Sequence, residues 1–176
     1  MAFLDLAKKR YSVRGYKADA VEPEKLQSIL EAGRVAPTGA NRQPQRTIVV
    51  QQPAGLAKIS KAAEIFGAPL ALIVCADREA AWVRPFDGKN ILDIDASIVT
   101  DHMMLQAADL GLGSVWVCYF KPDVLREEFG IPSSWEPVSI LAIGYASGEP
   151  ASPDRHRALR KPLGETVFFE TLQSAR

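Results

Sequence analysis

Two cysteines and two histidines are all that the 176-residue sequence offers of the commonest metal ligands and nucleophiles. Cys75 and Cys118 share no CxxC spacing and sit in apolar, strand-like runs, so reduced and packed thiols are expected. His102 and His156 have no HExxH or CxxC companion, which argues against a zinc site. His102 reads as a packed or partly exposed polar residue of a helix. No GxSxG elbow and no GxxxxGK[ST] loop occurs. Gly111-Leu112-Gly113 opens like a dinucleotide fingerprint, but position 116 is Trp and the run lies between a helix and a strand. The fingerprint needs strand before helix, because the pyrophosphate rests on a helix N-terminus. A charge excess is missing too: 21 Lys+Arg balance 21 Asp+Glu. That balance points away from nucleic acid, and no polybasic run is present to dock an anionic membrane. Nothing approaches the run of about 20 apolar residues that a membrane helix needs. The opening residues lack an apolar core and a small-residue cleavage site, so a cytoplasmic location is expected.

What the chain does contain is ordinary for a globular protein of one domain, at 47% hydrophobic and 24% charged residues. The first ten residues predict a short amphipathic helix ending in Lys8, Lys9 and Arg10. A polar connector, residues 11–21, leads to Pro23, which opens a second helix running to about Val35. The segment Ala36–Pro44 breaks it with two prolines and a glycine. Strands are predicted at 47–50, 70–76, 114–118 and 138–145, the second apolar enough to be covered on both faces. Helices are predicted at 56–63, 91–110 and 123–129, with a polar loop at 78–90. The long helix carries two apolar stripes: Ile91, Ile94, Ile98 and Leu105 on one, Leu92, Ala96, Val99, Met103, Ala107 and Leu110 on the other. Two stripes imply packing on two sides, against its own sheet and against a second subunit. The element order gives an α+β or α/β sandwich with a four-stranded core. Residues 148–176 form a long tail with prolines at 150, 153 and 162 and basic residues at 155, 157, 160 and 161. With its β-like Val167-Phe168-Phe169, this tail is best explained as an arm embracing a partner.

The remaining chemistry is a scattered set suited to an anionic, aromatic cofactor. Arg10, Ser12 and Arg14 alternate along an extended segment and so share one side, two guanidinium forks with a hydroxyl between them. The Pro37–Asn41 loop offers backbone N–H groups, a hydroxyl and an amide. Arg10-x-Ser12-x-Arg14 followed by Ala36-Pro37-Thr38-Gly39-Ala40-Asn41-Arg42-Gln43-Pro44 resembles the paired signature of nitroreductase-like flavoproteins. Ala108 to Trp116 and Arg160-Lys161-Pro162-Leu163 through Glu170 resemble the same family, in the same order along the chain.

The resemblance implies a central, mostly antiparallel four-stranded sheet flanked by helices, one domain over residues 1–176, and a homodimer embraced by the 148–176 arm. It implies FMN as cofactor, with Arg10, Ser12 and Arg160 at its phosphate and ribityl chain, beside Tyr11. Lys161 and Arg157 are helpers or alternatives to Arg160. Arg14 would lie by the pyrimidine edge, where a cation stabilises the anionic reduced ring. Pro37, Thr38, Gly39 and Asn41 would serve the flavin of the other subunit. The backbone of Val117, Cys118 and Tyr119 would face N5, so that Cys118 matters through its main chain. The activity implied is ping-pong hydride transfer from NAD(P)H through N5 to a small aromatic, nitro, quinone or enone acceptor, with no acid–base residue required. A specialised enzyme of the same fold and a non-catalytic flavin-binding or redox-sensing dimer are the rivals. Gln45 stands where the family often has an aromatic residue, and segments that carry flavin contacts in larger members are short here.

Overall fold

In a computed structural model the chain is described over residues 2–172. Four strands form one sheet in the order β1-β2-β4-β3: β1 (Gln45–Val50), β2 (Leu70–Asp77), β3 (Gly113–Val117) and β4 (Trp135–Gly144). Every strand pair is antiparallel. The central strand β2 is buried throughout apart from Asp77, as its unbroken apolar run requires. Its residues divide by the two-residue period: Leu70, Leu72, Val74 and Ala76 enter one core, Ala71, Ile73 and Cys75 the other.

Helices cover both faces. α2 (Pro23–Val35) and α4 (Leu92–Asp109) close the first core, where Ile29 meets Val99, Met103 and Leu141. α3 (Pro53–Ala62) and α5 (Pro122–Phe129) close the second, around Ile59, Leu125 and Ile140. Proline opens α2, α3 and α5, where its missing N–H costs nothing. α5 stops at Gly130, whose φ of 62° suits a residue without a Cβ. α1 (Phe3–Lys9) buries none of its residues. The short α6 (His156–Leu159) belongs to the tail.

The inner stripe of α4 faces the sheet as expected, with Leu92, Ala96, Val99, Met103 and Ala107 buried. The outer stripe is left incompletely covered, Ile94 being 48% exposed. Three expectations need correction. Residues 11–21 are more than a connector: Ser12 bridges Ser114 in parallel and Tyr16 bridges Ala146, so the segment lines the outer edge of β3. β3 ends at Val117, one residue early, so Cys118 is an exposed thiol and not a packed one. Val167-Phe168-Phe169 joins no strand and all three side chains are exposed. Residues 173–176 of the expected arm lie outside the described residues.

Candidate functional site

Backbone hydrogen bonds hold the N-terminal segment against the sheet. Val13 N–H donates to Ser114 O at 3.0 Å, Lys17 N–H to Tyr145 O at 2.8 Å, and Ser147 N–H to Gly15 O at 2.9 Å. Tyr16 adds a hydroxyl that donates to Val13 O at 3.1 Å and Ala142 O at 3.2 Å. Burial pushes this phenol's pKa upward. Val13 is 3% exposed and anchors the segment, so its neighbours Ser12 and Arg14 turn outward.

Past the end of β3, Arg14 shares a cavity with Val117–Tyr119. A cavity of about 210 Å³ is lined by Arg14, Glu64, Phe66 and the run Val115–Tyr119. The Arg14 guanidinium lies 5.9 Å from the centroid of the Phe66 ring. The ladder to β4 stops at the pair Val117 and Ile140, leaving the peptide groups of Cys118 and Tyr119 outside it. Tyr119 is 96% exposed. The other thiol, Cys75, is buried in the second core, and burial pushes its pKa up to about 11.

Nearby, three arginines gather. Burial and the charges of Arg155 and Arg160 lower the pKa of Arg10, against a partial opposing pull from Asp101. None of the three joins an ion pair among the described residues. Arg155 spends its fork on backbone, donating to Arg10 O at 2.6 Å, Ser152 O at 2.8 Å and Lys8 O at 3.1 Å. His156 Nε2 lies 3.1 Å from the same Lys8 carbonyl. Arg160 lies near enough to Arg10 for their charges to repel, and Arg157, Arg160 and Lys161 are all exposed. Sequence reasoning missed Arg155, because nothing in a tail marks a side chain whose partners are carbonyls of residues 8 and 10. Beside the cluster a largely apolar cleft of about 470 Å³ takes Tyr11, Leu6, Lys9 and Leu112 in its walls.

The Pro37–Asn41 loop is elsewhere. It leads into β1, at the opposite edge of the sheet from β3 and the Arg10–Arg14 segment. Four strand spacings separate them, roughly 19 Å, so one chain does not bring the two groups together. The loop is tightly specified. Gly39 N–H donates to Asp95 Oδ1 at 2.8 Å, Asn41 N–H to Thr38 O at 3.0 Å, and Gln43 N–H to Thr38 Oγ1 at 3.0 Å. Ala40, Asn41 and Gln43 all adopt left-handed backbone, with φ of 47°, 53° and 52°. A Cβ on Gly39 would come within 2.5 Å of Ile91 Cδ1 and 3.2 Å of Trp82 Cβ. Pro37 and Asn41 are exposed. Asp95, which holds the loop, also escaped sequence reasoning, since it reads as one more acid in the first turn of a helix. His102 is half-buried with Nδ1 2.9 Å from Ile98 O, a contact internal to its helix. Among the described residues no cluster of His, Cys, Asp and Glu is arranged to hold a metal, and no helix is long and apolar enough to cross a membrane.

Comparison with known proteins agrees with this geometry. The sequence matches the family model described as "Nitroreductase family" over residues 7–66 and 62–145. A solved nitroreductase family protein from Clostridium difficile 630 is 60% identical, with a TM-score of 0.96 over 98% of this chain and 100% of that one. An FMN-dependent nitroreductase from C. difficile R20291 is 30% identical, with a TM-score of 0.79 over 96% of this chain and 99% of that one. An NADH dehydrogenase from Thermus thermophilus is 31% identical, the alignment spanning 93% of each chain.

Proposed function

Because the chain belongs to the nitroreductase family, we propose that it is an FMN-dependent NAD(P)H oxidoreductase working as a homodimer. The observation that carries this reading is one cavity shared by Arg14 and Val117–Tyr119, on the same N-terminal segment as Arg10, which gathers with Arg155 and Arg160 where none of the three forms an ion pair among the described residues. The donor set suits FMN at both ends. Arg10 and Arg160 supply charge-assisted donors for a phosphate, with the exposed Ser12 hydroxyl beside them. Arg155 fixes the carbonyl of Arg10 and adds its own positive charge. Arg14 and the free peptide groups of Cys118 and Tyr119 suit the polar edge of a flat ring. The FMN-dependence and NADH use named for two relatives point the same way.

When bound, FMN supplies reversible hydride acceptance at N5, in turn from a nicotinamide and to a small acceptor. Everything else falls to the chain. Arg14 would place a cation beside the ring's polar edge, where negative charge develops. The backbone of Val117, Cys118 and Tyr119 orients the ring's N5 edge. Pro37, Thr38, Gly39 and Asn41, remote from Arg14 in their own chain, complete the site of the neighbour. Residues 1–176 form one flavin-binding domain, and 148–176 act as the arm that crosses to the partner. The incompletely covered outer stripe of α4 is the second face of that interface. No side chain is asked to move a proton in the hydride step.

The test is anaerobic. Purified protein carrying FMN should lose its flavin colour on addition of NADH or NADPH and recover it with a quinone or nitroaromatic. Colour that persists with both nicotinamides would instead establish a non-catalytic flavin-binding dimer.

A further inference from the structure

We infer that Asp95 is a positioning residue of the flavin site: its buried carboxylate sets the Gly39 amide, and with it the Pro37–Asn41 loop, before FMN arrives. The inference rests on the proposed reading of that loop as a contact to the neighbouring subunit's flavin. Asp95 lies in the first turn of α4 and is 1% exposed. Oδ1 accepts the Gly39 N–H at 2.8 Å, whereas Oδ2 is buried with no partner among the described residues. No cation pairs with it there.

A carboxylate buried with one oxygen unpartnered is expensive, and an apolar side chain of similar volume fills such a place more cheaply. Packing alone therefore does not account for aspartate. What it adds is a strong acceptor, partly offset by the positive end of an 18-residue helix. The loop it holds needs holding. Ala40 and Asn41 within it, and Gln43 just beyond it, are in left-handed backbone without being glycine, and Gly39 sits too close to Ile91 and Trp82 for a Cβ. With one anchor on α4, the strained turn has one register, and the exposed Pro37 and Asn41 keep fixed positions for a ligand. Through α4 the anchor is also part of the helix whose outer stripe faces the partner, so loop and interface are built on one rigid body.

Three variants and one wild-type measurement test this. Asp95→Leu removes the acceptor while keeping the volume. It should raise the FMN Kd at least about tenfold, equivalent to about 1.4 kcal/mol, and speed amide exchange across residues 38–43 of the flavin-free protein. Asp95→Asn keeps a carbonyl at Oδ1 and should restore most of both. Asn41→Ala leaves the anchor intact but deletes a loop contact, and should weaken FMN without altering exchange at Gly39. A folded Asp95→Leu protein with the wild-type Kd, beside a weakened Asn41→Ala, overturns the role of Asp95. Wild-type Kd in both variants overturns the loop's role in flavin binding instead. Should Asp95→Leu not fold, the native chain decides. A Gly39 amide exchanging as fast as that of Ala40 in flavin-free protein also overturns the anchor.

Discussion

Arg14 has no hydrogen bond or ion pair from its side chain among the described residues; a loose stacking on Phe66 is what holds its guanidinium there. A charge held at such a place acts on whatever enters the cavity. Arg14→Gln keeps length and polarity, so the bound flavin should become harder to reduce, with a lower midpoint in a potentiometric titration; an unchanged midpoint would remove Arg14 from the ring's edge. Arg160→Ala should weaken FMN by about 1.5–3 kcal/mol, the range for a hydrogen bond to a charged group, as equilibrium dialysis would show. The two thiols should separate cleanly. Cys118 is exposed and should react with a maleimide in the folded protein, whereas Cys75, buried and with its pKa pushed up to about 11, should react only on unfolding. Mass spectrometry after brief labelling distinguishes them. At this scale the sequence was readable where spacing sufficed: Ser12 and Arg14 fall on one side because an extended chain alternates. Arg155 and Asp95 were not readable, because each acts on backbone 145 or 56 residues away.

Elements were legible where period and punctuation agreed. The apolar run of β2, the proline opening α2 and the break at Ala36–Pro44 all specify local structure without tertiary help, whereas α3 and α5 begin at Pro53 and Pro122, three residues and one residue before their predicted starts. The failures came where pairing decides. Residues 11–21 look polar and unstructured, yet their backbone joins the edge of β3. Cys118 looks like the end of an apolar strand, but the ladder between β3 and β4 stops at the pair Val117 and Ile140. The tail is a third case, since on the proposed reading it packs against another chain. Val167, Phe168 and Phe169 are exposed at 44%, 55% and 85%, and burial against a partner would be worth about 1.5–3 kcal/mol for each large apolar side chain. Deleting residues 163–176 should therefore loosen the dimer and release FMN together, read by light scattering and flavin absorbance on one sample. A truncated protein that remains dimeric and fully yellow would leave the interface to α4 alone.

Taken whole, the molecule should tolerate alkali poorly. Cys75 and Tyr16 both have pKa values raised by burial. In the unfolded chain they ionise near their ordinary values, about 8.5 and about 10, while the folded chain keeps both protonated. The unfolded state then binds fewer protons, so stability falls as pH rises above about 9. Denaturant midpoints measured at pH 8 and pH 10.5 should show the drop, and Tyr16→Phe should flatten its upper part. The α+β class and the four-stranded core followed from element order, but the strand order and the closeness of residue 10 to residue 155 did not, being properties of the assembled chain. That closeness also has a meaning in time. A ribosome extending a chain by roughly 5–20 residues per second takes on the order of ten to thirty seconds to travel from Arg10 to Arg155. Throughout that interval the nascent polypeptide has one of the three arginines of its cluster. If Arg10, Arg155 and Arg160 hold the flavin phosphate as proposed, cofactor loading waits until translation has reached the tail, and colour would report completed synthesis.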